Sequence, residues 1–481
     1  MSPLAVVLSV LLLAAGQLLA QPFTVQGPGV NTNDFRVTTF ASGLDFPLSM
    51  AELPDGSLII TSVQGTNFYS GTGRLLRLTD TNQNGVADAP GTVLYSGLPP
   101  TVTAVRVAGS LVLVESVATS IFVLRMGVTP SSPLTLVGTV TPVMNINRPH
   151  PNSALAVRRT PGFTNRYDVL FQIGSEFNFA ASSNTVPLTN SNIPGATGTL
   201  NGDALHLITL IDNGGSDVAA TGLTQLATGL RNAAGFAFRP ATGDLYLQDN
   251  GIDGLVNGNE SHSADELNFI ARTNIGGAIE NFGYPSNYTS YRSNVFVGGA
   301  GIAPLVVFQP IPLPFGAESE GANDLAIAPP GFPDGLNAGV FLGFHGKFNV
   351  GGLSNEENPL VYADPSMGNY FHFIRGQQLG IGHLNGLMST RDSLFVADLS
   401  TNGNIFSATS TGAIYQIKSL VTPTPPVLSI KRVGSQIELK WERGALQEAT
   451  DLSGPWTTVA EAFSPMYVTA DGARKFFRTV Y

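Results

Sequence analysis

The sequence predicts an all-β chain, a six-bladed β-propeller followed by a small β-sandwich-like C-terminal domain. Three observations carry this. The 481 residues include 54 glycines and 32 prolines. They are spread along the chain and not gathered into one repeat, as tight turns between short strands would spread them. β-Branched and aromatic residues recur in runs of strand length, and no long segment of 3.6-residue period competes with them. A degenerate unit of turn, strand and polar exit returns over roughly 390 residues, which is the mark of radial repetition.

In chain order, the apolar run from Leu4 to Leu19, followed by Ala20, Gln21 and Pro22, reads as a secretory signal peptide over residues 1–21. The remainder is therefore expected to be secreted or periplasmic. No other stretch reaches the ~20 apolar residues of a spanning helix. Residues 33–420 are assigned to the propeller. Its strands are read at Ser57–Ser62, Ser110–Glu115, Asp168–Ile173, Asp244–Gln248 and Ser393–Asp398. Turns precede them at Pro54–Leu58, Pro240–Leu245 and Thr390–Leu394. Six blades of roughly 65 residues fill the length. Residues 421–426, rich in proline, form a stiff linker. Residues 427–481 hold both tryptophans, and Val427–Arg432 and Gln436–Trp441 alternate as a hairpin closed at Gly434. That domain reads as a stability or attachment appendage.

Charge narrows the partners. Only 12% of residues are charged, the net charge is −10, and Lys347 and Lys418 are the only lysines before residue 427. So cation-poor a surface cannot neutralise a run of phosphates, which excludes nucleic acid and disfavours an anionic membrane. With no cysteine, an exported chain must rely on its core for stability, and 43% hydrophobic residues supply one.

Three segments read as site and not scaffold: Arg148–Val157, Leu230–Gly251, and Asp265–Asn268 followed by Asn281–Pro285. Leu230-Arg231-Asn232 with Gly235, Asp265-Glu266-Leu267-Asn268, Asn281-Phe282-Gly283-Tyr284-Pro285 and Phe344–Asn349 stand in one order. Together they resemble the glucose/sorbosone dehydrogenase family, the soluble PQQ-dependent aldose dehydrogenases, across about residues 36–418. The resemblance implies a six-bladed propeller. It implies a quinoprotein that oxidises an aldose-type sugar to its lactone and hands electrons to an external acceptor. It also implies roles for individual residues. His150 is the base that takes the proton of the anomeric hydroxyl, a task suited to neutral imidazole. Arg231 and Asn232 hold the quinone, with Lys347 nearby or His345 in its stead. The carbonyls of Gly251 and Ile252 seat calcium as a Lewis acid. Where the family carries a pair of arginines late in the chain, this sequence has Gly382-His383-Leu384-Asn385 and no arginine until Arg391; His383 is the candidate to stand in for them. Asp265 and Glu266 read as structural, behind the calcium.

A second calcium candidate comes from spacing alone. Asp80, Asn82, Asn84 and Asp88 place oxygen side chains at alternate positions around Gly85, as in an EF-hand-type loop without its closing glutamate. An Asn/Gly turn reads equally well there. The six histidines are too scattered for a cluster. Two other readings stand beside the dehydrogenase: a non-catalytic propeller binding a glycan or protein, and a metal-dependent lactonase.

Overall fold

Short apolar runs separated by Gly, Pro, Asn and Asp leave the backbone no partner within a segment, so it pairs with its sequence neighbours in antiparallel ladders. The computed structural model describes residues 21–481 apart from 118–119, 146, 152, 257–259, 310–320, 345, 347–350, 355–359, 408, 461 and 470–473. The signal peptide proposed for residues 1–21 lies outside it except for Gln21.

Among the described residues six sheets of four or more strands follow one another along the chain. Sheet I contains Met50–Glu52, Leu58–Asn67, Ser70–Leu78 and Thr92–Leu98. Sheet II contains Val102–Ala108, Leu111–Ser116, Ile121–Arg125 and Thr135–Pro142, widened by Val186–Ser191 and Gly198–Leu200. Sheet III contains Leu155–Arg159, Arg166–Ile173, Ala204–Asp212 and Val218–Thr228, with Glu280–Asn281 added in parallel. Sheet IV contains Gly235–Phe238, Leu245–Asp249, Asp265–Ile270 and Val306–Phe308. Sheet V contains Ala322–Ile327, Val340–Phe344, Leu360–Asp364 and Asn369–Ile374. Sheet VI contains Leu384–Ser389, Ser393–Asp398 and Gly412–Ser419, and its outermost strand is Phe35–Leu44 from the other end of the chain.

That last pairing, from Phe35 opposite Ser419 to Leu44 opposite Gly412, ties the first strand to the last sheet. The innermost strands neighbour one another in the order I to VI and back to I. Six apolar layers fill the spaces between adjacent sheets, one per interface. Second strands lie between two such layers. Leu111–Ser116, Leu245–Asp249 and Ser393–Asp398 are accordingly buried along their whole length, and they read as near-continuous apolar runs. The ring is also stapled across its axis: Arg106 of sheet II meets Asp324 of sheet V at 3.4 Å and donates to Ser49 Oγ at 3.0 Å.

This topology sorts the loops. Crossovers from one sheet to the next and the turns between second and third strands share one end, here the upper end; the other turns lie at the base. Among the described residues four upper crossovers are gripped by the second strand that follows them. Thr61 accepts from Ser49 N (2.9 Å), Ser116 donates to the Pro100 carbonyl (2.6 Å), Asp249 takes two N–H groups of Arg231 and Asn232, and Asp398 takes those of Gly382 and His383.

Residues 427–481 form two three-stranded sheets around buried Leu439, Trp441 and Leu446. The hairpin read at Gly434 pairs Val433 with Gln436 and Ser429 with Lys440. This unit sits on the base of sheet IV. Ala241 shares its core, Ser464 N donates to the Ala241 carbonyl at 2.8 Å, and the Arg272 guanidinium stacks over Phe463. Among the described residues no helix is long and apolar enough to cross a membrane.

The seam between sheets VI and I demands glycine. A Cβ on Gly386 would stand 1.4 Å from the Leu48 carbonyl oxygen, and backbone cannot retreat as a side chain can. Gly386→Ala is expected to cost about 1–3 kcal/mol, read as a lower urea midpoint at unchanged slope in far-UV circular dichroism. An unchanged midpoint would show that the seam does not hold the ring.

Candidate functional site

Every residue of the proposed central site that is described lies at the upper end. His150 is in the crossover 143–154, Arg231 and Asn232 are in the crossover 229–234, and Gly251 and Ile252 open the turn after the second strand of sheet IV. His383 ends the crossover into sheet VI. Lys347, and His345 beside it, lie outside the described residues.

Glycine brings the first two together. A Cβ on Gly174 would stand 2.5 Å from the His150 carbonyl oxygen and 3.0 Å from that of Arg231. The next residue links them: Ser175 N donates to the Arg231 carbonyl at 2.8 Å, and Ser175 Oγ lies 2.7 Å from His150 Nδ1. The same hydroxyl donates to the Phe177 carbonyl at 2.7 Å. A serine has one proton to give, so toward His150 it accepts, and the imidazole carries its proton on Nδ1. Nε2 is left with its lone pair and no hydrogen-bond partner among the described residues. Burial, then the nearby Arg231 guanidinium, lower the His150 pKa to about 3 against the bond to Ser175, with Arg148 lowering it further. The ring is neutral at working pH. Arg148, itself buried, donates to the Gly174 carbonyl at 2.8 and 2.6 Å and so fixes this corner from behind.

The Arg231–Asn232 turn is held by Asp249, whose two oxygens accept from Arg231 N at 2.9 Å and Asn232 N at 2.6 Å. The Arg231 guanidinium is already engaged, with Asp253 at 2.6 Å and Asn178 Oδ1 at 2.8 Å. Gly251 N donates to Asp265 Oδ1 and Ile252 N to Ser263 Oγ, both at 2.7 Å. The Ile252 carbonyl accepts from His262 N (2.7 Å) and Ser263 N (3.2 Å), which occupies both its lone pairs. Of the two proposed carbonyl ligands, only that of Gly251 has no such partner. His383 is likewise committed: Nε2 lies 2.7 Å from the Gly403 carbonyl, and the ring is buried.

Two cavities meet at Asn250. The smaller, about 20 Å³, is lined by Arg231, Asp249, Asn250, Gly251 and Glu266 and has room for one water-sized guest. Burial pushes Asp249 up to about 7; burial, aided by the Asp249 charge, pushes Glu266 up to about 8. Among the described residues no three His, Asp or Glu side chains converge as a metal cluster. A hard cation would have to combine the Glu266 carboxylate with amide and backbone oxygens, as calcium does. The larger cavity, about 220 Å³, lies over the axis and is lined by Tyr69, Thr103, Asn232, Asn250, Asn323, His383 and Asn385, among others. Thr103 Oγ1, Asn250 Oδ1 and Asn385 Oδ1 are buried there without hydrogen-bond partners among the described residues. Buried polar atoms are rarely left unpaired, so the lining fits a polar guest bearing many hydrogen-bonding groups. No lysine or arginine among the described residues lines it.

Sequence reasoning gave no role to Ser175, Arg148, Asn178, Asn250 or Asn385, although Arg148 and Asn250 fall within segments read as site. Asn250 directly follows Asp249 at the end of a second strand, and Ser175 lies two residues past the end of another. Asp80, Asn82, Asn84 and Asp88 are not part of this site. Their loop follows the third strand of sheet I and so lies at the base. Its side-chain oxygens bond to its own backbone, with Gly85 N on Asp80 Oδ2 at 2.8 Å, Val86 N on Asn84 Oδ1 at 2.8 Å and Thr81 N on Asp88 Oδ2 at 2.9 Å. Ala87 N donates to the Phe40 carbonyl at 2.8 Å, so the loop ties sheet I to the closing strand of sheet VI.

The family described as TrAA12-like matches residues 138–308. No curated protein matches the chain. The calcium structure of a Trichoderma reesei protein of Carbohydrate-Active Enzymes Family AA12 aligns at 16% identity and a TM-score of 0.50, covering 83% of this chain and 98% of that one. The holo PQQ domain of Coprinopsis cinerea pyranose dehydrogenase aligns at 16% identity and a TM-score of 0.47, over 83% and 98%. The PQQ-bound aldose sugar dehydrogenase of Streptomyces coelicolor aligns at 16% identity and a TM-score of 0.46, over 80% and 98%. The chain thus shares the fold of the first of these.

His150 is expected to remain in its Nδ1–H neutral form from pH 8 to below pH 5, visible in imidazole nitrogen NMR. Its folded pKa lies beneath the unfolded 6.5, so the unfolded chain binds the proton first, and stability contributed by the neutral ring falls as pH drops from 6.5 toward about 3. Ser175→Ala is expected to mix the tautomers. Titration of His150 near pH 6.5 in the folded protein would contradict the assignment.

Proposed function

We propose that this chain is an exported quinoprotein that oxidises an aldose-type sugar to its lactone and passes the electrons to an external acceptor. In this reading the six sheets over residues 33–420 are the blades of one propeller, 421–426 a linker and 427–481 a separate small domain. The observation that carries the reading is the His150–Ser175 pair: a neutral imidazole whose Nδ1 proton is committed, and whose Nε2 is therefore a proton acceptor. The crossover bearing it also contributes Ser153 to the lining of the axial cavity.

The residues present fit both implied groups. Glu266, the Gly251 carbonyl and Asn250 would hold calcium. Asn232, Asn250, Asn385 and Thr103 would hold the quinone through hydrogen bonds, with Lys347 and His383 proposed beside them. When bound, the quinone accepts two electrons together with the hydrogen on the anomeric carbon, and calcium polarises it. His150 Nε2 takes the remaining proton from the anomeric hydroxyl. Ser175 orients the ring and, as an acceptor at Nδ1, eases its positive charge. The Arg231 and Arg148 charges oppose that protonation, so an anion bound at this end strengthens His150 as a base.

Apo-protein given PQQ and calcium is expected to acquire quinone absorbance and dye-linked aldose oxidation. Absence of binding at micromolar cofactor would overturn the proposal. His150→Ala is expected to lower kcat by about 10²–10⁴ while PQQ affinity stays within about threefold, a change too small to matter on the kcal/mol scale.

A further inference from the structure

A third and larger cavity lies at the opposite end of the molecule. Its volume is about 760 Å³, within the range of small-molecule sites. The lower ends of the innermost strands of all six sheets form its upper wall, and residues 442–446, 458–460, 462 and 463 of the C-terminal unit close one side. The walls are largely apolar, with Phe238 and Met388 facing from the propeller and Leu446 and Phe463 from the C-terminal unit.

The charges on this cavity are out of keeping with the chain. The protein has 24 lysines and arginines and a net charge of −10, yet Arg106, Arg239, Arg391 and Arg443 all line this space. Two are neutralised: Arg106 by Asp324 and Arg443 by Asp334, each at 3.4 Å. The other two form no ion pair among the described residues. Arg239 lies with its guanidinium 4.9 Å from the centroid of the Tyr246 ring, which steadies its plane without taking its charge. Arg391 is exposed at the opening. The acids on the lining, Glu52 and Glu442, are exposed. Burial of its carboxyl and the neighbouring Asp392 hold Glu52 above the usual glutamate range, which reduces the opposing charge in mild acid.

We propose that this basal cavity binds a small amphipathic organic anion, with one carboxylate or sulfonate against Arg239 and Arg391 and an apolar body against Phe238, Met388, Leu446 and Phe463. A neutral apolar guest would leave the two guanidinium groups without purpose. A sugar would find few amide or carboxylate partners on these walls. The site is independent of the dehydrogenase reading, since it shares no residue with the upper cavities.

The test uses the full chain and two probes that differ only in the head group: 8-anilinonaphthalene-1-sulfonate and its neutral parent, N-phenyl-1-naphthylamine. Fluorescence titration at pH 7 is expected to show one saturable sulfonate site, at least about tenfold tighter than the neutral probe and weakened by salt. In Arg239→Gln/Arg391→Gln the two affinities should converge to within about threefold. Ala460→Trp, at an exposed position on the lining, should reduce binding of both probes by filling the space, with circular dichroism showing the fold intact. Absence of a saturable sulfonate site, equal affinity for the two probes in the wild type, or a sulfonate affinity unmoved by the arginine substitutions would each overturn the proposal, whatever the outcome with PQQ.

Discussion

The upper end of this molecule depends on one recurring contact, the grip of a second strand on the crossover entering its own sheet. The device is a polar residue at the strand's end or up to two residues beyond it, buried where the crossover must turn into the axis. In sheet IV it is Asp249 on the Arg231 and Asn232 amides, and in sheet VI it is Asp398 on those of Gly382 and His383. A buried carboxylate taking two N–H groups is stabilised by about 1.5–3 kcal/mol per bond, enough to fix the loop against its entropy. In sheet III the same place is held by Ser175, and what it grips is the ring of His150. The proposed catalytic pair is thus the scaffold's own clamp, turned from backbone to imidazole. That origin explains why the base is pre-oriented before any substrate arrives.

Much of this was legible. The strands read at Ser57–Ser62, Ser110–Glu115, Asp168–Ile173, Asp244–Gln248 and Ser393–Asp398 correspond to the second strands of five of the six sheets, because those strands are packed on both faces and spell out apolar runs. The polar exit read at Asp398 is itself the clamp, and after Ser110–Glu115 and Asp244–Gln248 the clamp is the next residue, Ser116 or Asp249. Inner and outer strands were harder. Met50–Glu52 is too short to declare itself, and Phe35–Leu44 pairs with a partner some 375 residues on, which no local pattern records. His150, Arg231, Asn232 and Gly251 could be placed because each sits on an upper loop with a distinctive phrase. Ser175 and Asn250 could not, because a single Ser or Asn after a strand is ordinary turn chemistry until its partner is known. The Asp80–Asp88 loop shows the converse: alternate oxygens spaced for a metal are also spaced to cap their own amides, and here they do so.

The scarcity of cations takes on a different meaning once the fold is known. It does not single out Arg231 as a free charge awaiting a ligand. Arg74, Arg77, Arg125, Arg148, Arg158 and Arg231 each face a carboxylate, so these six of the chain's 24 lysines and arginines are used in holding the fold together. Pairing of this kind suits a chain without disulfides, since partly shielded ion pairs at turn ends fix geometry even where their net stabilisation is small.

An anionic guest in the upper cavity would therefore meet amides and hydroxyls before it met a guanidinium. Neutral donors orient such a guest well but repay little of its lost hydration. The electrostatic burden then falls on a cation in the neighbouring 20 Å³ cavity, where the Glu266 carboxyl, pushed up to about 8 by burial and the Asp249 charge, is poorly ionised without one. Metal and anion would be coupled: the cation ionises the carboxylate that holds it and presents the charge that the described lining lacks. Each would bind weakly alone. In the proposed reading the upper site would be a two-component receptor, whereas the basal cavity already carries two guanidinium groups without an ion pair among the described residues.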